Sequence, residues 1–345
     1  MRIGVSYSSA TDFPSIISEV VAFENAGIDA VWLGESYGYD AISALGALAQ
    51  ATSRIQVGPG IIPLYTRTPA LIAQTAAGLD AISGGRAALG LGASGPAVIE
   101  GWHGVPYDAP VARTREIIEI CRAVWRRQRL ENHGRYEIPL VNEKSPRRPL
   151  KLIAKPPREQ IPVYIAALGG RNVALTAEVA DGWIPTFFWP DKCQQVWGSA
   201  LAEGKSKRSA DLGTMQIVTA AHLAIGDDVA AYVDDQRPFV AHYVGGMGPR
   251  GQNFYNDLAV SYGFPAEAAK IQDLYLDGQK TAAEEAVPRE LLEGISLVGT
   301  EALVRERLSV YAAAGVTMIN VKPAGASVEE KCAHIRKLRR ILDSL

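Results

Sequence analysis

The chain has 345 residues, of which 48% are hydrophobic and 21% charged, with a formal net charge of −2. This composition belongs to a folded globular protein with a large core; it excludes a disordered chain, and the near-balance of charge leaves no electrostatic footprint for nucleic acid. Cys121, Cys193 and Cys332 are widely spaced and odd in number, which gives no sign of a disulfide framework and suits a reducing cytoplasm.

The opening "MRIGVSY" enters a strand at once, with no charged segment leading into a long apolar one. No apolar run approaches 18 residues, so neither a leader nor a membrane partner is expected. Residues 2–7 read as a strand and 12–27 as a helix with Asp12 as its N-cap, Pro14 in the first turn and Gly27 past its end. A second strand follows over 28–35, with Asp40 opening its helix. The third covers 54–62, and Thr68 with Pro69 starts the helix after it. Residues 86–92 form the fourth strand, and a helix runs over 110–128.

The stretch 131–160, rich in proline, glycine and charge, reads as an excursion. Strands resume at 162–168, 181–187 and 214–226, and a long, mainly helical insertion begins at 228. Its core, 228–295, and the segment 131–160 are the two expected insertions in a single domain spanning 1–345. The eighth strand is 316–323 and a helix closes the chain. Eight strands with helical crossovers imply a parallel sheet, and the count favours closure into an α/β (β/α)8 TIM barrel over an open doubly wound sheet.

One motif tests this choice. "LGLGASG" over 89–95 contains Gly90-x-Gly92-x-x-Gly95 directly after an apolar run. A dinucleotide-binding unit would open a helix at the third glycine and return with a strand within about 30 residues. Here Pro96 and an irregular stretch follow, and the next strand waits until Pro162. Two readings remain: Gly90 and Gly92 relieve crowding between strands, or they clear a barrel mouth where a flat ring lies close to the backbone, with Ser94 and Gly95 offering hydrogen bonds. At 169–171, Gly169, Gly170 and Arg171 end the fifth strand and open a helix. Their main-chain N–H groups make an anion site, or else an ordinary turn with a solvated arginine.

The blocks "VWLGESYGYDA", "VGPGIIPLYTRTPALIAQTAAGLDAISGGRAALGLGASGP", "EGWHGVPYDAPVARTREIIEICR" and "PVYIAALGGRNVALTAEVADGWIPT" together resemble the luciferase-like superfamily of barrel flavoproteins. More narrowly, they resemble its oxidoreductases dependent on the deazaflavin coenzyme F420, related to methylenetetrahydromethanopterin reductase. The resemblance implies hydride transfer between reduced deazaflavin and a C=C, C=N or C=O bond of a small organic substrate, in a homodimer. The alternatives are an FMN-dependent two-component monooxygenase and a flavin- or F420-binding protein without turnover.

It further implies a bulge with a non-prolyl cis peptide at Gly60-Ile61 beneath the ring. Ala167, Leu168, Gly169 and Gly170 would hold the phosphate beside Arg171, with Thr186 flanking, and Ala93, Ser94 and Gly95 would lie along the ribityl chain. Glu35 matches an acidic position that bonds the ring edge or the substrate, with loop capping as the plainer role. Ser36 stands where many relatives have histidine, which leaves His103 as the imidazole near the mouth: a proton donor, or a structural residue. Tyr7, Tyr65 and Trp183 fall near strand ends and are expected to line the substrate pocket or to pack. The related sugar-phosphate dehydrogenases carry a carboxylate early in the loop "SSATD"; Asp12, read as a cap, argues against that chemistry. No histidines pair at metal-ligand spacing, and no metal is expected.

Overall fold

The structure, a computed structural model, describes residues 1–8, 12–140 and 147–345. Part of the "SSATD" loop and part of the 131–160 excursion lie outside the described residues. The elements in order are β1 (Arg2–Ser8), α1 (Phe13–Ala26), β2 (Ala30–Gly34), α2 (Ala41–Ala51), β3 (Gln56–Pro63), α3 (Pro69–Ser83) and β4 (Leu89–Gly92). The short α4 (Pro96–Ile99), α5 (Pro110–Trp125), a hairpin of β5 (Asn132–His133) and β6 (Glu137–Ile138), β7 (Val163–Ala166), α6 (Gly170–Val179) and β8 (Gly182–Ile184) follow. Then come α7 (Cys193–Lys207), β9 (Gln216–Ile225), the helices α8 (Arg237–Gly246), α9 (Phe254–Ser261), α10 (Pro265–Leu276), α11 (Lys280–Glu285) and α12 (Arg289–Gly294), β10 (Leu297–Gly299), α13 (Glu301–Ala313), β11 (Met318–Pro323) and α14 (Val328–Asp343).

Strands β9, β11, β1, β2, β3, β4, β7 and β8 pair in that order, all parallel, and β8 returns to β9. The ring is therefore closed, and the open wound sheet is excluded. Two short elements escaped the sequence reading. β10, inside the stretch expected to be helical, adds in parallel to the far end of β9, with Leu297 opposite Leu223. The β5–β6 hairpin gives the excursion a small sheet of its own.

Local chemistry explains the joints. Gly27 takes a left-handed φ of 108° and closes α1 by donating to the carbonyls of Phe23 and Glu24. Asp40 accepts the Ser43 N–H at 2.8 Å, and Thr68 accepts that of Leu71 at 3.3 Å. Asp12 differs: it occupies the cap position of α1, but its carboxylate takes the Ser15 hydroxyl and no helix N–H.

Period-two alternation separates two cores across the barrel strands. Ile3, Val5, Val31, Leu33, Val57, Leu89 and Leu91 face the helices. Ala30, Trp32, Ala88, Tyr164, Val218 and Met318 fill the barrel interior. This packing answers the glycine question for Gly90. A Cβ there would sit 2.2 Å from the Pro59 carbonyl oxygen, so β3 and β4 can approach only if the side chain is absent.

The N-terminal end of the barrel is saturated with hydrogen bonds. Glu24 accepts the N–H groups of Ser53, Arg54 and Ile55, which hold its carboxyl below the usual range although burial pulls the other way. Arg86 donates to the carbonyls of Ala49, Thr52, Ile55 and Ser83. Asp80, fully buried, takes Arg158 and the Ala87 N–H.

Candidate active site

The C-terminal rim has a bare side and a polar side. On the bare side, β2, β3, β4 and β7 present Gly34, Gly60 and Ile61, Gly92 and Ala166. Gly60 is the extra residue of a bulge: Leu33 pairs with Pro59, and Gly34 pairs with Ile61. A Cβ on Gly60 would stand 3.1 Å from the Gly34 nitrogen. The expected bulge is present, but the expected cis peptide is not; among the described residues the cis bond is Ile138-Pro139. The register shift itself absorbs the extra residue, with Gly60-Ile61 trans.

Beyond this wall, Ser94 adopts a left-handed φ of 58°, flanked by half-buried Ala93 and Gly95, and its carbonyl accepts the Tyr107 hydroxyl at 3.4 Å. At the end of β7, the indoles of Trp183 and Trp197 donate to the carbonyls of Ala167 and Leu168, each at 2.9 Å. These bonds orient the loop so that exposed Gly169 and Gly170 start α6 with no side-chain cap. Space around a Cβ of Gly169 is open, and Arg171 is exposed in the first turn. Uncapped amides, the helix dipole and a cation thus coincide at one point of the rim. Thr186 follows β8, half-buried, next to Phe187.

Several expected site residues have other work. Trp183 is fully buried against Phe188 and Trp197 and lines no pocket: its odd position on β8 turns it toward α7. Tyr7, on the helix-facing register of β1, donates to Glu19 at 2.8 Å, and burial, then Glu19, pushes its pKa upward. Tyr65 donates to the Asp108 carbonyl at 2.9 Å and packs on Tyr107 and Arg113, behind the rim. Glu35 forms a two-pronged pair with Arg67, at 2.5 and 2.9 Å, and also accepts the Ala41 N–H at the start of α2. Its carboxylate is a strut between loops, which is the plainer of the two expected roles. His103 lies in the turn after α4 with Nε2 buried and unpartnered; no described hydrogen bond joins it to another rim group.

The polar side escaped the sequence reading. In β9 and β11 the even positions face inward, as Val218 and Met318 show. Ala220, His222, Asn320 and Lys322 therefore share the interior face, with Ser6 of β1 beside them. Ser6, Ala220 and Lys322 are exposed although each lies within a strand, so they border an open space at the mouth. His222 and Lys322 are register partners. Burial, and then the neighbouring ammonium, push the His222 pKa down to about 4, so the imidazole is neutral at pH 7. The legible signal was Asn320 and Lys322 at alternate positions of β11 and a lone His222 in an otherwise largely apolar β9.

Residues from the long insertion supply an aromatic cover. Phe187 packs against Phe239, Tyr243 and Tyr255 at ring-centre distances of 5.5 to 6.0 Å. Tyr37 and Trp102, both exposed, face each other at 6.5 Å, and Tyr37 lies near enough to act on Tyr243.

The closed ring of strands is shared with known proteins. The sequence profile of the luciferase-like monooxygenase family matches residues 1–318. The chain belongs to that family. It is 39% identical, over 89% of its length and 90% of the relative's, to a Mycobacterium tuberculosis protein named as a coenzyme F420-dependent oxidoreductase. It is 28% identical to the 5,10-methylenetetrahydromethanopterin reductase of Archaeoglobus fulgidus, with 92% of each chain covered. The fold superposes on the coenzyme F420-dependent tetrahydromethanopterin reductase of Methanopyrus kandleri with a TM-score of 0.81 at 24% identity, covering 97% of both chains. Among the described residues there is no cluster of groups able to hold a metal and no helix long and apolar enough to cross a membrane.

Proposed function

We propose that this protein is a coenzyme F420-dependent oxidoreductase that passes a hydride between the deazaflavin and a small organic substrate. The observation that carries the reading is the uncapped start of α6 at Gly169 and Gly170, set on the same rim as the bare wall of Gly34, Gly60 and Gly92. The residues fit the group. Amides of Gly170 and Arg171 suit its phosphate, the open backbone at Ala93, Ser94 and Gly95 suits its linking chain, and the glycine-lined wall, with the Ile61 side chain beside Gly92, suits a flat ring. Ala167 and Leu168 act through their carbonyls, which the two indoles hold in place. When bound, the coenzyme supplies a two-electron hydride.

The chain's own residues position and enclose. The β3 bulge fixes the height of the ring wall, and the Glu35–Arg67 pair pins the loops after β2 and β3 to one another. The aromatic cover of Phe187, Phe239, Tyr243 and Tyr255 gives one side of the mouth an apolar face. The 39% identical mycobacterial relative supports this choice of coenzyme. The homodimer belongs to the same reading, with exposed Leu140, Leu150 and Ile153 as apolar surface for it; light scattering in solution tests it.

The decisive experiment titrates the purified protein with F420 and separately with FMN, following fluorescence quenching. F420 is expected to be retained and FMN to bind weakly or not at all. Preferential retention of FMN would turn the reading toward a two-component monooxygenase.

A further inference from the structure

The polar side of the rim separates the bond types that the hydride chemistry leaves open. Lys322 is at the inward register of β11, exposed to the mouth, and among the described residues it has no hydrogen bond or ion pair. An ammonium without a carboxylate partner inside a barrel mouth is a standing positive charge. Its register partner His222 is neutral and adds no charge of its own. Asn320, 6% exposed, places an Oδ1 with no partner one inward position below Lys322. Opposite lies the glycine-lined wall with the Ile61 side chain beside Gly92, and at the end of β8 the rings of Phe187, Phe239 and Tyr243 pack together.

We propose that Lys322 holds and polarises a substrate carbonyl oxygen, and that the substrate class is a planar, apolar, α,β-unsaturated ketone or aldehyde. This rests on the F420 reading above. The charge argument sets acceptors whose electrons end on oxygen against C=N, and the apolar rings favour the conjugated member of that group. Hydride addition to the β-carbon of an enone breaks the C=C π bond and moves its electron pair through the conjugated system onto oxygen as an enolate. An ammonium stabilises that oxygen as charge develops. A proton from solvent then reaches the α-carbon through the open mouth and completes a two-electron reduction, with the reduced deazaflavin as reductant. A C=N bond, by contrast, accepts hydride as a cationic iminium, and an unpaired ammonium at short range repels it. The aromatic cover matches a flat, uncharged body and offers no charged group to a sugar or phosphate.

Three proteins, the native chain, Lys322→Met and Lys322→Arg, test this. Each is titrated with F420 and then given reduced F420 with either 4-phenyl-3-buten-2-one or the cationic 1-methyl-3,4-dihydroisoquinolinium. Binding of the enone without turnover is followed by intrinsic fluorescence in the presence of oxidised F420. The native protein is expected to reduce the enone and to discriminate against the iminium. In Lys322→Met, kcat/KM for the enone should fall about 100-fold, enone binding should weaken, the iminium should gain, and F420 affinity should be unchanged; Lys322→Arg should recover part of the loss. Enone turnover unaffected by Lys322→Met, a native preference for the iminium, or F420 retention with neither probe reduced would each overturn the proposal while leaving the coenzyme reading in place. Failure of the native chain to retain F420 would instead sink the coenzyme reading, and this proposal with it.

Discussion

The two ends of the barrel solve opposite problems with the same kinds of residue. At the N-terminal end every charged group described has its partners: Glu24 takes three backbone N–H groups, Arg86 four carbonyls, and Asp80 an arginine and an amide. At the C-terminal rim the amides starting α6, the His222 ring and the Lys322 ammonium are left without partners. Satisfied polar groups lock a fold, whereas unsatisfied ones at a mouth are binding capacity held ready at some cost in stability. Changes at the lower end should therefore register as lost stability, and changes at the rim as lost affinity or rate.

The largest expected effect is at the lower end. Asp80→Ala strips Arg158 and the Ala87 amide of their buried partner and should cost about 3 to 5 kcal/mol, seen as a lower midpoint in urea unfolding. A midpoint equal to the native one would show that the saturation is decorative. Gly90→Ala lies between the two ends: its Cβ would meet the Pro59 carbonyl 2.2 Å away, so stability should fall by about 1 to 3 kcal/mol. F420 affinity should drop with it, because the β3 bulge must shift. Arg171→Met, at the rim, should leave the unfolding midpoint alone and weaken F420 binding by about tenfold, the loss of one exposed charge contact of roughly 1.4 kcal/mol. An unchanged dissociation constant would remove Arg171 from the phosphate site.

The smallest effect is a pH slope. Because the folded His222 pKa lies near 4, below the ordinary 6.5, the unfolded chain binds the extra proton first. The contribution is complete above about 6.5 and is lost as pH falls toward 4. His222→Gln should flatten the acid side of the stability curve by that one group and leave stability at pH 8 nearly unaltered. An identical acid slope in both proteins would show that the ring is solvated.

Much of this was legible from particular residues. Asp40, Thr68, Pro69 and Gly27 mark helix ends through local hydrogen bonds and fixed φ, which need no knowledge of distant neighbours. Gly169 and Gly170 announced an open helix start for the same reason. Tyr7 and Trp183 took the packing alternative over the pocket one for one reason: each is near a strand end but on the odd, helix-facing register, and proximity to the rim along the chain does not reveal the face. The omission of His222 and Lys322 is the mirror image. Two polar residues one hundred positions apart become partners only when β9 and β11 pair.

The order of strands and helices, their caps, the glycine-rich rim and the family were thus determined by the chain alone, because each depends on interactions within a few residues or on patterns carried in the sequence. Which side of the mouth is bare and which is charged was decided only by tertiary structure. Ring closure and register choose the face each side chain presents, and they bring into one small space groups that local chemistry cannot relate.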